Sequence, residues 1–110
     1  MSEQRYINVP DDVTIQVADG PPVVWGFAKF LADRTADASF GETFDGVLDA
    51  VGIRQAAVGC KPGDVVDLSL GAWERLCKSI RTPSVRYNTD VMIPLIPHAK
   101  AVLDAPSTKP

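Results

Sequence analysis

Two thiols, one imidazole, a few carboxylate pairs and one basic cluster are the groups in this chain that could do chemistry. Cys60 and Cys77 are the two cysteines and His98 is the single histidine. A catalytic thiol needs a base within hydrogen-bond reach and a setting that lowers its pKa. Cys60 stands in a turn beside Lys61, which favours the thiolate slightly, but the histidine lies in another segment. Cys77 falls between Trp73 and Ile80 on an apolar helical stripe, where cysteine behaves as a small hydrophobe. His98 follows Pro97 at an expected helix start and reads as a surface or internally satisfied side chain. Asp11-Asp12 and Asp45/Asp49 are the carboxylate pairs. Asp45 and Asp49 are four apart, neighbours on the polar side of a helix, and a solvated face is the expectation for them.

Metal and phosphate chemistry lack their patterns. Two cysteines outside a CxxC arrangement and one histidine do not furnish a zinc ligand set. "VGCKPGD" lacks the spacing of a phosphate-binding loop, and "ADGPPVVWG" is far from a dinucleotide fingerprint. No cofactor and no metal are therefore expected.

The basic cluster is the candidate partner-binding site: Arg75, Lys78 and Arg81, then Arg86 with Tyr87. It suits an acidic protein surface or nucleic-acid phosphates. The chain as a whole carries a net charge of −3, without the basic excess on which non-specific DNA binding rests. The charge is unevenly divided. Residues 1–50 hold nine acids and three bases, net −6, and residues 51–110 hold five acids and eight bases, net +3. Such a division fits head-to-tail self-association or a nucleic-acid-facing half.

The elements that must position these groups follow from periodicity. Val13, Ile15 and Val17 alternate with polar or small residues as in a half-buried strand. "ADGPP" turns the chain and "VVW", 23–25, returns it, which predicts a β-hairpin. Phe27, Phe30 and Leu31 share a face, giving a short helix over 27–35. Ser39 and Glu42 have capping-box spacing. Phe40, Phe44, Val47, Leu48 and Val51 then mark the apolar stripe of a helix over about 40–57. Gly46 and Gly52 inside it imply tight packing at those points, or a break near Gly52.

"GCKPGD" is a turn and "VVDL", 65–68, a strand that can join the hairpin. Ser69 caps a helix whose inward face is Leu70, Trp73, Leu76, Cys77 and Ile80, and Thr82-Pro83 stops it. "SVRYNTD" reads as a polar connector. Pro94 and Pro97 interrupt the last element. Prolines are tolerated in a first helical turn, so either a helix from about Pro94 or Pro97 to Ala105 or a loop shaped by the two prolines is expected.

The resulting expectation is an α+β domain: a small hairpin or three-stranded sheet packed against three to four short helices. Residues 1–105 form a single globular domain and 106–110 a flexible tail. No apolar run is long enough to span a membrane. "MSEQRYINVPDD" lacks the apolar core of a signal peptide, so a cytoplasmic location is expected.

Three blocks together, "FGETFDGVLDAVGIRQAA", "KPGDVVDLSLGAWERLCKSIRTP" and "YNTDVMIPLIPHAKAVLDA", resemble small proteins encoded by bacteriophages and prophages. The resemblance rests on a capped helix, a "PGDVVDL" strand and a tryptophan-bearing helix, and it carries no catalytic residue with it. It implies an accessory or virion-assembly protein that binds other proteins. The leading expectation is a non-enzymatic protein–protein interaction module that binds another protein, itself, or both. A small regulator contacting nucleic acid through the basic helix is the alternative, and an enzyme using Cys60 or His98 the third.

Overall fold

The computed structural model describes residues 3–109; the expected domain start at residues 1–2 and the last residue of the tail lie outside the described residues. Its elements run β1 (Gln4–Asn8), β2 (Val13–Ile15), β3 (Val23–Trp25), α1 (Phe27–Thr35), a 3-10 turn (Ala38–Gly41), α2 (Phe44–Ala57), β4 (Val65–Ser69), α3 (Leu70–Arg81) and α4 (Thr89–Leu103). This is a small α+β fold, as expected, with helices predominating.

The hairpin forms as expected, with Val13 opposite Trp25 and Ile15 opposite Val23. It stops at Ile15, and Val17 is left exposed. Among the described residues the alternative, a three-stranded sheet, does not form. β4 pairs antiparallel with β1, Ile7 opposite Val66, in a second two-stranded sheet. The reason is the core. Val66 and Leu68 alternate with exposed Asp67, and only Ile7 and Val9 of the N-terminal segment offer a matching buried face. The 59–64 turn that feeds β4 uses Gly59 and Gly63 at positive φ, 70° and 91°, which glycine adopts without steric cost.

α1 occupies the expected residues and buries Phe27, Phe30 and Leu31. α3 also forms over the expected residues, with the Ser69 hydroxyl accepting from the Ala72 amide and Thr82 as C-cap. Of the expected inward face Leu76, Cys77 and Ile80 are buried and Trp73 is half-buried against the core, whereas Leu70 stays at its margin. Ala72 and Ser79 are buried in addition. α2 corrects the sequence reading in three ways. It starts at Phe44, capped by Thr43, whose hydroxyl accepts from the Gly46 amide at 3.0 Å. Ser39 is instead drawn onto the Asp37 carboxylate, which caps the 3-10 turn. The helix is unbroken at Gly52. Its buried face is Gly46, Ala50, Ile53 and Ala57 rather than the stripe of larger residues.

α4 begins five residues before Pro94, capped by Asn88, whose side chain accepts from the Asp90 amide at 3.0 Å. Thus the expected polar connector contributes its last two residues to the helix. Both prolines sit in the interior, so the Asp90 and Ile93 carbonyls forgo their usual amide partners. Asp90 and Ile93 are themselves exposed, so solvent can serve those carbonyls.

Buried residues from every element except β3 share one core, with Ile7, Phe30, Leu31, Ile53, Leu76 and Val102 fully covered, and β3 adds only the half-buried Trp25 at its edge. Both ends of the described chain are stitched to it. The Tyr6 amide donates to the Pro106 carbonyl at 3.0 Å and the Trp73 indole donates to the Val102 carbonyl at 2.7 Å. Among the described residues no helix is long and apolar enough to cross a membrane.

Candidate interaction surface

Cys77 is buried on α3. Burial pushes its thiol up to about 11, although Arg81 and Arg5 pull the other way. Cys60 is half-buried after the α2 turn, and burial followed by the nearby Asp64 charge raises its pKa as well. Each thiol is thus held in its protonated, weakly nucleophilic form at neutral pH.

His98 lies inside α4, not at its start, and is fully buried. Its ring centroid is 5.6 Å from those of Phe27 and Phe30. Nε2 lies 3.0 Å from the Trp25 carbonyl, an acceptor only, so Nε2 carries the proton in this contact. The imidazole thereby ties α4 to the end of the hairpin.

The carboxylate pair separates. Asp49 forms an ion pair with Arg75 at 2.8 Å, joining α2 to α3, while Asp45 points to solvent. Asp37 is a carboxylate that sequence reasoning missed. Burial opposes its charge, but the amides and hydroxyls of Ser39 and Ser84 outweigh burial and lower its pKa to about 2.

The five residues of the basic cluster divide into two sets. Arg75 is committed to Asp49. Tyr87 is half-buried; its hydroxyl donates to the Ile80 carbonyl at 2.8 Å and accepts from Arg34 at 3.0 Å. The Arg34 guanidinium also stacks 4.7 Å from the Tyr87 ring centroid. Lys78, Arg81 and Arg86 are exposed, and among the described residues none forms an ion pair.

A second feature without a partner among the described residues lies on α2. On α2, Phe44 is 75% exposed, Val47 43%, Leu48 52% and Val51 46%. Their i, i+3, i+4, i+7 spacing makes them one outward stripe. Beside it runs a depression of about 290 Å³ whose lining includes Phe40, Val47, Ala50 and Val51. A second depression, of about 500 Å³, lies between the end of α1 and the start of α4, floored by Trp25, Met92 and Leu95. The two share Ala36, Asp37 and Ala38 as a common ridge.

Comparison with protein-family models, with curated proteins and with solved structures returns no match for this chain. The surface must be interpreted from its own chemistry. Among the described residues no group of three His, Cys, Asp or Glu side chains converges as a metal site. Two raised thiols and a buried, hydrogen-bonded imidazole give little reactivity, whereas a bulky apolar helix face bordering a groove is suited to covering by another polypeptide. Sequence periodicity located this stripe but assigned it to the core.

Proposed function

We propose that this domain is a non-enzymatic protein-binding module whose recognition element is the outward face of α2. The observation that carries the reading is the exposed quartet Phe44, Val47, Leu48 and Val51. Large side chains in contiguous exposed patches mark interaction sites more often than isolated apolar residues do. Aromatic residues lead the energetics of such interfaces, so Phe44 is the expected anchor. The adjoining groove offers room for side chains from the partner. The resemblance to phage-encoded proteins fits an accessory or assembly role through the same face.

A second reading places a nucleic-acid or acidic-protein contact on Lys78, Arg81 and Arg86. It is supported by the absence of ion-pair partners for these cations among the described residues. Affinity capture from the source cells, with wild type and two variants in parallel, separates the two. A partner lost with Leu48→Glu and retained with Lys78→Glu/Arg81→Glu/Arg86→Glu supports the α2 face. The reverse pattern moves the site to the basic face. Capture indifferent to both removes both readings.

A further inference from the structure

We propose that the occupant of the α2 face is α2 of a second copy of this chain, packed antiparallel across a two-fold axis. This rests on the reading of that face as a protein-binding surface and names its partner.

The stripe is self-complementary. Reversing the helix about the midpoint of Val47 and Leu48 carries Phe44 onto Val51 and Val47 onto Leu48. Each copy therefore presents to the other the surface it receives, which is the condition for a closed, isologous dimer.

Charge points to the same arrangement. Asp45 lies in the first turn of α2 and Arg54 in the last. Arg54 donates to the Thr35 hydroxyl at 2.7 Å and the Ala32 carbonyl at 3.3 Å, and among the described residues no carboxylate pairs with it. Glu42, exposed just before the helix, has no cation partner among the described residues. The reversal brings Glu42 of each copy level with the Arg54 turn of the other, so two uncompensated charges are neutralised twice by symmetry. Antiparallel alignment also sets the opposite ends of the helix dipoles side by side.

Area fixes the strength. Four exposed side chains with a bordering groove offer on the order of a few hundred Å², about the size of the largest patch a monomer commonly carries, which is often a functional one. That is below the roughly 800 Å² per partner of a standard stable interface. The dimer is therefore weak and concentration-dependent.

Sedimentation analysis over a concentration series tests this. A reversible monomer–dimer equilibrium is expected, weakened by about tenfold or more in Leu48→Glu. Val24→Glu, at an exposed valine on the hairpin, leaves it unchanged. Glu42→Arg weakens it and Glu42→Arg/Arg54→Glu restores it. Mixed Phe44→Cys and Val51→Cys chains form a 44–51 disulfide in preference to 44–44 or 51–51. A strict monomer at millimolar concentration, a dimer indifferent to Leu48→Glu, or preferred 44–44 linkage overturns the proposal. A strict monomer whose capture of a cellular partner is still abolished by Leu48→Glu removes the second copy alone. Indifference to Leu48→Glu in both experiments removes the binding face itself.

Discussion

Asp37 shows how one side chain can redirect a local fold. It accepts from the Ser39 amide and hydroxyl and from the Ser84 amide and hydroxyl, so the loop after α1 is fastened to the segment after α3. Ser39 was legible as a helix-start residue, but a carboxylate two positions earlier is the stronger acceptor and takes its hydroxyl. The pH dependence follows from linkage. The folded pKa of about 2 lies below the ordinary carboxylate value of 3.8, so the unfolded chain binds the proton more readily. Stability from this group is present above pH 4 and is lost as pH falls towards 2. Melting temperatures of wild type and Asp37→Asn should therefore converge over that interval and differ most near neutrality. Histidine 98 illustrates a different limit of residue-scale reading. A lone histidine after a proline looks like a helix-start residue, and only its neighbours Phe27, Phe30 and the Trp25 carbonyl reveal a core imidazole.

Among the elements, α1 and α3 were legible because each has one apolar face and an unambiguous boundary. In α2 the periodicity was visible but its direction was not. The helix has two low-polarity faces, one of large residues and one of Gly46, Ala50, Ile53 and Ala57. It packs against α1 and α3, and close helix approach favours the small face. The two glycines separate on this logic. A Cβ at Gly46 would come within 2.5 Å of the Phe40 carbonyl oxygen, whereas one at Gly52 would meet nothing within 4 Å. Gly46→Ala should cost about 1–3 kcal/mol through overpacking. Gly52→Ala should stabilise by about 0.5–1 kcal/mol through helix propensity and reduced unfolded-state entropy. Urea denaturation at low protein concentration would read both, and a stabilising Gly46→Ala would contradict the packing described. α4 starts before the point its prolines suggest, because Pro94 and Pro97 carry the local signature of a first helical turn while lying in the helix interior. The Asn88 cap and the burial of Leu95, His98, Ala99 and Val102 outweigh two forgone hydrogen bonds.

For the whole molecule, the ends of the chain are structural partners. Tyr6 donates to the Pro106 carbonyl and Ala105 is buried in the core. A chain ending at Asp104 should lose about 1–2 kcal/mol from the unmet amide and the uncovered core. A chain ending at Ser107 should unfold like the full chain. Equal thermal stability of the two would place the boundary of the fold earlier than Ala105.

By itself the sequence determined the hairpin, α1, α3 and the α+β class, because these depend on local periodicity, caps and turn residues. It also located the apolar stripe of α2 and the inert setting of Cys77. Tertiary structure alone decided that β4 pairs with β1, since strand partnership depends on which distant segment supplies a matching buried face. It decided likewise that Arg75 and Tyr87 serve the fold while Lys78, Arg81 and Arg86 have no ion-pair partner among the described residues. Above all it turned the α2 stripe from core to surface, because a helix with two low-polarity faces buries the one that lets its neighbours come close.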